Sequence, residues 1–491
     1  MSDPQSKTVL INVHQGFSVR YLLQTGVFRR IKDQAGKVVI IASDEGEYLD
    51  EFRRMDNVEV EIVPREVYES YFKSSKIQRA LKELRFYTYG ARVTTAEVAW
   101  RFYNTDVINR PGRPFWRQKG VEAYFGVIKA AVSALGRFPA LRKALLKMET
   151  ALFSPPFYDS ILDRHKPDIV VVSSLGVFDN DHLVMRAAKR KGIPTVSMIM
   201  GWDNTTTRGY PGAFADYVVA WTETMKEELI RLHDIEDWRV YVGGVPLFDS
   251  YYSQDPGYDR EEFLESMKLD PRKKTIFLAT RSPNSYPWNP NIVEILAEAV
   301  DRGDLEDCQV VARIHPLHYK RAGSKFAYQD ALDAYDRIAG RFPGCVVLNV
   351  PKFASERVDY VMPEEEIELL TRLLRSCDVI ATVFSTINIE GAIFDKPIVN
   401  VCFDNLPKHY SAKDKARFNI KGDFNLTHNQ RIADSGGVSI AYTPSQLVER
   451  VNEYLRDPSL DSDGRRRIVD REAGPNRGRS AVATADFIMS L

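Results

Sequence analysis

The chain is poor in cysteine and has no long apolar run. Its four cysteines, Cys308, Cys345, Cys377 and Cys402, never fall at C-x-x-C spacing, which argues against a zinc site or a redox pair and fits buried thiols in a reducing compartment. No stretch reaches the roughly 18 to 20 apolar residues that a bilayer crossing requires. The opening "MSDPQSKTVLINVHQG" has no basic patch ahead of an apolar core, so no targeting segment is expected and the chain reads as cytoplasmic. Low-complexity tracts and short repeats are missing. So are the usual signatures of nucleic-acid-binding modules, and no nucleic-acid partner is expected.

What is present is a globular composition, with 44% hydrophobic residues in 491, more than one hydrophobic core accommodates. The net charge is zero but unevenly spread. From Lys73 to Lys147 sixteen basic residues face only Glu83, Glu97, Asp106 and Glu122, an excess of twelve (16 − 4) that the remainder must balance.

Short apolar strands alternate with amphipathic helices. "KTVLINVHQ", "KVVIIAS", "VEVEIVP", "PDIVVVSS", "PTVSMIM", "YVVAW" and "RVYVGG" form one series. Such strands, apolar on both faces, imply a parallel sheet covered by helices. A second series begins at "KKTIFLATRS" and runs through "CQVVARIHP", "GCVVLNVP", "CDVIATVFS" and "KPIVNVCF". The fold class is therefore α/β, with two doubly wound domains: residues 1–245, carrying a mainly helical insertion at about 66–160, and residues 246–475. The last segment, 476–491, is expected to be a helix that packs back on the first domain.

Ligands of open parallel sheets sit at the carboxyl ends of the strands. There the sequence offers Arg281 in "ATRSPN", Arg313 and His315 in "ARIHP", and Ser385 and Thr386 ahead of Glu390 in "VFSTINIEGAIFDKP". Arginine suits phosphate through its fork of donors, and a protonated histidine would stabilise a departing anion. Ser385 equally suits a plain helix cap. In the first domain, Trp202, Asp203 and Asn204 follow the strand "PTVSMIM". Asp203 could take a proton, or it could form an Asx-turn with Trp202 in the core. His14, after the first strand, is a rival base. Asp44 and Glu45 in "SDEGEY" are a third candidate, or a helix cap.

In this order, "GVPLFD", "ATR", "RIHP" and the segment from Cys377 to Asp404 resemble the nucleotide-donor half of GT-B glycosyltransferases, most closely the CDP-glycerol glycerophosphotransferase-like group. The resemblance covers about Ile193 to the C-terminus. It implies two Rossmann-like domains facing across a cleft, with donor phosphates held by Arg281, Arg313, His315, Ser385 and Thr386 and with Glu390 at the donor's ribose or sugar. Trp202 and Asn204 would lie on the acceptor side. Asp203 stands where the family carries a histidine in Trp-His-Gly-Thr. The acidic pair at Asp44 is also similar to a motif of bacterial sialyltransferases. Retaining GT-B enzymes often carry glutamates eight positions apart; Ile398 follows Glu390 at that spacing, which favours inversion. No Asp-x-Asp is read after a strand, so neither a metal nor a cofactor is expected.

The implied activity is transfer of a sugar from a nucleotide-activated donor to a glycan or lipid-linked acceptor in surface-polysaccharide synthesis. Polyol-phosphate transfer, or a non-catalytic nucleotide- or glycan-binding scaffold, are alternatives. The basic, aromatic region 73–147 includes the amphipathic "FPALRKALLKMETALF". It suits an anionic membrane surface, as at the inner face of a plasma membrane, or alternatively a solvated helical face.

Overall fold

The computed structural model describes residues 7–87, 114–176, 179–322, 324–353, 361–404 and 419–491. Residues 88–113, part of the insertion, lie outside the described residues. Two compact units divide the chain. The first takes the described residues up to Asp249 together with Val361 and Gly474–Leu491, and the second takes the described residues of Ser250–Phe353 and Met362–Ala473.

The first unit is built on β1 (Thr8–Asn12), β2 (Lys37–Ala42), β3 (Val58–Ile62), β4 (Ile169–Val172), β5 (Thr195–Met198), β6 (Tyr217–Ala220) and β7 (Val240–Val242). They form a parallel sheet in the order β3-β2-β1-β4-β5-β6-β7. Its central strands are apolar on both faces; Val9, Leu10, Ile40 and Val171 are fully buried, each worth about 1.5–3 kcal/mol relative to exposure. The chain runs outward from β1 to β3, then restarts at β4 on the other side of β1. The winding direction reverses between β1 and β4.

Between β3 and β4 the described chain is helical, in Arg65–Ser74, Lys76–Tyr87, Phe115–Leu135, Pro139–Leu152 and Asp159–His165. Two buried ion-pair networks tie these helices to the unit. Glu149 accepts from Arg85 Nε at 2.6 Å and from Arg186 Nη2 at 2.9 Å, while Arg142 Nη2 reaches Asp234 Oδ1 at 2.6 Å. Removing one partner from such a buried pair costs about 3–5 kcal/mol, because the other charge is left uncompensated.

The final helix, Ser480–Ser490, packs on the helix Gly26–Gln34. Asp486 accepts from Arg30 and Gln34, and Phe487 stacks on Tyr241 at 4.2 Å. Asp249 holds the start of this helix, accepting Ser480 N–H at 2.9 Å and Ala481 N–H at 2.8 Å. That bond explains why the first unit extends to Asp249 rather than ending at residue 245. Gly244 sits at φ +92°, and a Cβ there would lie 2.2 Å from the Pro475 oxygen, so only glycine fits this crossing.

The second unit comprises β8 (Lys274–Ala279), β9 (Cys308–Arg313), β12 (Val346–Asn349), β13 (Val379–Thr382), β14 (Ile398–Val401) and β15 (Ser439–Ala441). The sheet is parallel, in the order β12-β9-β8-β13-β14-β15. A short antiparallel hairpin, β10 (Arg321–Ala322) with β11 (Lys325–Phe326), projects after β9. Winding proceeds from β8 to β12 on one side and resumes at β13 on the other, so the reversal lies between β8 and β13. Among the described residues no helix is long and apolar enough to cross a membrane.

Candidate functional site

Both winding reversals open a crevice at the carboxyl ends of the central strands, the place where doubly wound sheets hold ligands. In the second unit the register aligns Ala279, Arg313 and Thr382 at the ends of β8, β9 and β13. Arg281 and His315 follow directly. Thr280 joins them: its hydroxyl donates to the Arg313 carbonyl at 3.0 Å and accepts His315 N–H at 2.7 Å.

The His315 ring is oriented by its own chain. Leu317 N–H donates to Nδ1 at 3.1 Å, so Nδ1 carries the lone pair and Nε2 carries the proton. Burial pushes the imidazole down to about 3, and the nearby His318 and Arg281 charges act in the same direction. His315 is thus neutral around pH 7 and offers a neutral Nε2–H. This corrects the expectation of a cationic histidine: desolvation beside an arginine disfavours a second positive charge. His318 beneath it is also held down, to about 4; it faces the His315 carbonyl at 3.1 Å and the Tyr335 hydroxyl at 3.3 Å.

Arg281 is not idle. Its Nη1 donates to Asp423 Oδ2 at 2.9 Å, from the helix Ile420–Phe424, and its backbone N–H donates to Asn289 Oδ1 at 2.8 Å.

After β13 the chain turns sharply. Phe384 adopts φ 38°, left-handed backbone that costs a non-glycine residue about 1–3 kcal/mol. The buried Asn388–Asn400 pair holds the turn: Asn400 Oδ1 accepts Phe384 N–H at 3.0 Å, and its amide donates to Asn388 Oδ1 at 2.7 Å. Ser385 Oγ lies 3.1 Å from Thr382 Oγ1 and accepts Ile387 N–H at 3.3 Å. The helix that follows, Ile387–Ile393, is only seven residues long and starts after Thr386. Gly391 seats it tightly, since a Cβ there would come within 2.6 Å of Ile380. Glu390 is buried and accepts from the Tyr251 hydroxyl.

Arg313 does not join this crevice. Its guanidinium donates to Asn349 Oδ1 at 2.6 Å and to Glu366 Oε2 at 2.7 Å, and Glu366, which is buried, also accepts Lys352 N–H. The expected phosphate ligand is therefore a strand-to-helix clamp within the unit.

In the first unit the corresponding crevice holds His14 after β1 and Ser173 and Ser174 after β4. Asp181, fully buried in the helix Asp179–Arg190, draws them together. Its Oδ1 accepts from Asn12 Nδ2 at 2.8 Å, and its Oδ2 accepts from Ser173 Oγ at 3.2 Å and Ser174 Oγ at 2.6 Å. His14 Nδ1 lies 3.7 Å from Asp181 Oδ1 and 3.5 Å from Ser173 Oγ. Because the Ser173 hydroxyl gives its one proton to Asp181, its oxygen is an acceptor for Nδ1–H, which leaves the lone pair on Nε2. An Asp-x-Asp does follow β4, as Asp179-Asn180-Asp181, correcting the expectation that no such motif follows a strand. Asp181 is committed to the three donors, and among the described residues no group of three or more His, Cys, Asp or Glu is placed to hold a metal ion.

Asp203 lies beyond β5, at the start of the short helix Asn204–Thr207. Its Oδ2 accepts the Thr207 hydroxyl at 3.0 Å. Trp202 and Asn204 are buried. Asp44 and Glu45 follow β2, away from the reversal, and Glu45 is exposed and paired with Arg53.

Reasoning from sequence missed Asp181, Asp423, Asn388 and Asn400. Only position could have signalled them: Asp181 opens the helix after β4, and Asn400 is an amide in an otherwise apolar strand.

The fold defined by these two units is GT-B-like. No family model matches the chain, and no curated protein does. Among solved structures it is similar to the UDP-GlcNAc 2-epimerase from Neisseria meningitidis bound to UDP-GlcNAc, with 11% identity over 99% of this chain and 100% of the other and a TM-score of 0.53. A putative UDP-N-acetylglucosamine 2-epimerase from Listeria monocytogenes gives 12% identity, 97% and 94% coverage and 0.52. The S. aureus MnaA–UDP co-structure gives 12%, 97% and 94%, and 0.51. At these identities the likeness is one of fold.

Proposed function

We propose that the chain is a glycosyltransferase that moves a sugar, with inversion, from a nucleotide-activated donor to an acceptor hydroxyl. The observation that carries this reading is the presence of Arg281 and of the neutral His315, whose Nε2 bears the proton, after adjacent strand ends beside the winding reversal of the second unit. Both follow strand ends at the place where a doubly wound sheet holds a ligand, and Ser385 adds a hydroxyl after the neighbouring strand. Hydrogen bonds to charged groups are worth about 1.5–3 kcal/mol each, so three reach the range of micromolar binding. Arg313 is left out of the donor set because Glu366 holds it.

Of the three candidate bases, His14 is the best supported, since Asp181 and Ser173 orient its ring and leave the Nε2 lone pair to accept a proton. The acceptor oxygen attacks the anomeric carbon and its proton passes to His14 Nε2. The bond from that carbon to the phosphate oxygen breaks, and the nucleotide leaves with the electron pair, its charge met by Arg281 and His315.

The solved structures of like fold favour a second reading, isomerisation of a nucleotide sugar, because two of the three named above are described as UDP-GlcNAc 2-epimerases. It shares the nucleotide site but needs no acceptor.

A thermal-shift panel of UDP, GDP, CDP, CMP and ADP tests the site. A nucleotide at a hundred times its Kd stabilises the folded state by about 2.7 kcal/mol. The reading requires a shift with one of them that disappears in Arg281→Ala and His315→Ala; no shift with any would defeat it. Incubating the matching nucleotide sugars without acceptor then separates the two reactions, since an epimer accumulating in the absence of acceptor favours isomerisation.

A further inference from the structure

Two consecutive helices of the first unit leave apolar stripes uncovered. On Phe115–Leu135 the uncovered stripe includes Trp116 and Val127, which are 69% and 70% exposed, and Tyr124 projects beside it. Cβ atoms built on Gly120 and Gly126 would meet nothing within 4 Å among the described residues. On Pro139–Leu152 the unit buries Arg142, Leu146 and Glu149 and leaves Leu141, Met148 and Leu152 outside. Leu146 packs inward as in ordinary amphipathic packing, but Leu141, Met148 and Leu152 stay outside while Arg142 and Glu149 are buried.

The surrounding charge is predominantly positive, with Glu122 taken up by Lys119 at 2.7 Å. Arg85 and Arg142 are taken up by Glu149 and Asp234, but Arg117, Lys119, Arg137 and Lys147 remain exposed. Exposed aromatic and aliphatic side chains among cations suit the boundary of an anionic bilayer, where rings and aliphatic chains enter the headgroup region and cations meet lipid phosphates. A protein–protein contact is favoured less, because the cores of such contacts are depleted in lysine.

We infer that these two helices dock the protein peripherally on an anionic phospholipid surface. The inference stands apart from the catalytic reading, since none of these residues belongs to either crevice.

The test uses the full chain, sedimented with vesicles of phosphatidylcholine alone and of phosphatidylcholine mixed with phosphatidylglycerol. Binding is expected only to the mixed vesicles and to weaken as salt rises. Trp116→Ser with Met148→Ser should reduce it at least tenfold. Neutralising Arg117 and Lys147 to Gln should weaken it about fivefold per charge. All four side chains are exposed, so unchanged circular dichroism and melting temperature are expected for both variants. Equal binding to both kinds of vesicle, or none to either, would overturn the inference. So would self-association in solution that the Trp116 and Met148 variant abolishes, which would make the face a contact between copies of this chain.

Discussion

The Arg281–Asp423 pair offers a sharp test of the anion site. The two side chains are 17% and 13% exposed and meet at 2.9 Å, so a phosphate that uses Arg281 must share or displace this carboxylate while bringing its own negative charge towards it. A hydrogen bond to a charged group is worth about 1.5–3 kcal/mol. If Asp423→Asn returns that interaction to the ligand, nucleotide binding tightens by about 10- to 150-fold, at 1.4 kcal/mol per factor of ten. The fold should weaken modestly, by about 1–3 kcal/mol, because the arginine loses its charged partner. Titration calorimetry with the nucleotide selected by the thermal-shift panel, run on Asp423→Asn, Arg281→Ala and the double variant, measures the coupling directly. Two outcomes refute the reasoning: a folded Asp423→Asn protein that binds no more tightly than the parent, or an equal gain when Arg281 is already alanine.

Three other outcomes are expected. His14→Gln should lower turnover by about 10²–10⁴-fold with nucleotide affinity unchanged, whereas Asp203→Asn should keep most of the activity; a larger loss in the Asp203 variant would move the base there. His233, His315 and His318 are held at about 4, 3 and 4, chiefly by burial. Below about pH 6.5 the unfolded chain therefore binds protons that the folded chain refuses, and stability present above that pH is lost as pH falls towards 4; urea midpoints that match at pH 7.5 and 5 would contradict this. Gly244→Ala places a Cβ 2.2 Å from the Pro475 oxygen at φ +92° and should destabilise the first unit by more than about 1–3 kcal/mol, read by calorimetry as a lower Tm.

Much of the scaffold is legible in the linear chain for one reason. Strands buried on both faces must be apolar throughout, so "KTIFLA", "VVAR", "VIAT" and "IVNV" announce β8, β9, β13 and β14. Their carboxyl ends then point to Arg281, His315 and Ser385 without any tertiary information. The partners of those residues are not legible, because they come from distant elements. Asp181 meets Asn12 across 169 positions and Asp423 meets Arg281 across 142, and no local periodicity encodes either pairing.

The sequence by itself determined the two parallel sheets and the strand ends at which polar residues gather, since burial on both faces leaves its mark residue by residue. Tertiary structure alone decided what those residues became. Glu366 holds Arg313, and burial, aided by His318 and Arg281, made His315 a neutral donor. The helix Pro139–Leu152 shows the division most plainly. Its composition reads as amphipathic, yet the unit buries its charged face, because Arg85 and Arg186 wait inside for Glu149 and Asp234 for Arg142. Paired charges satisfied one another in the interior beside Leu146, while Leu141, Met148 and Leu152 were left to face outward.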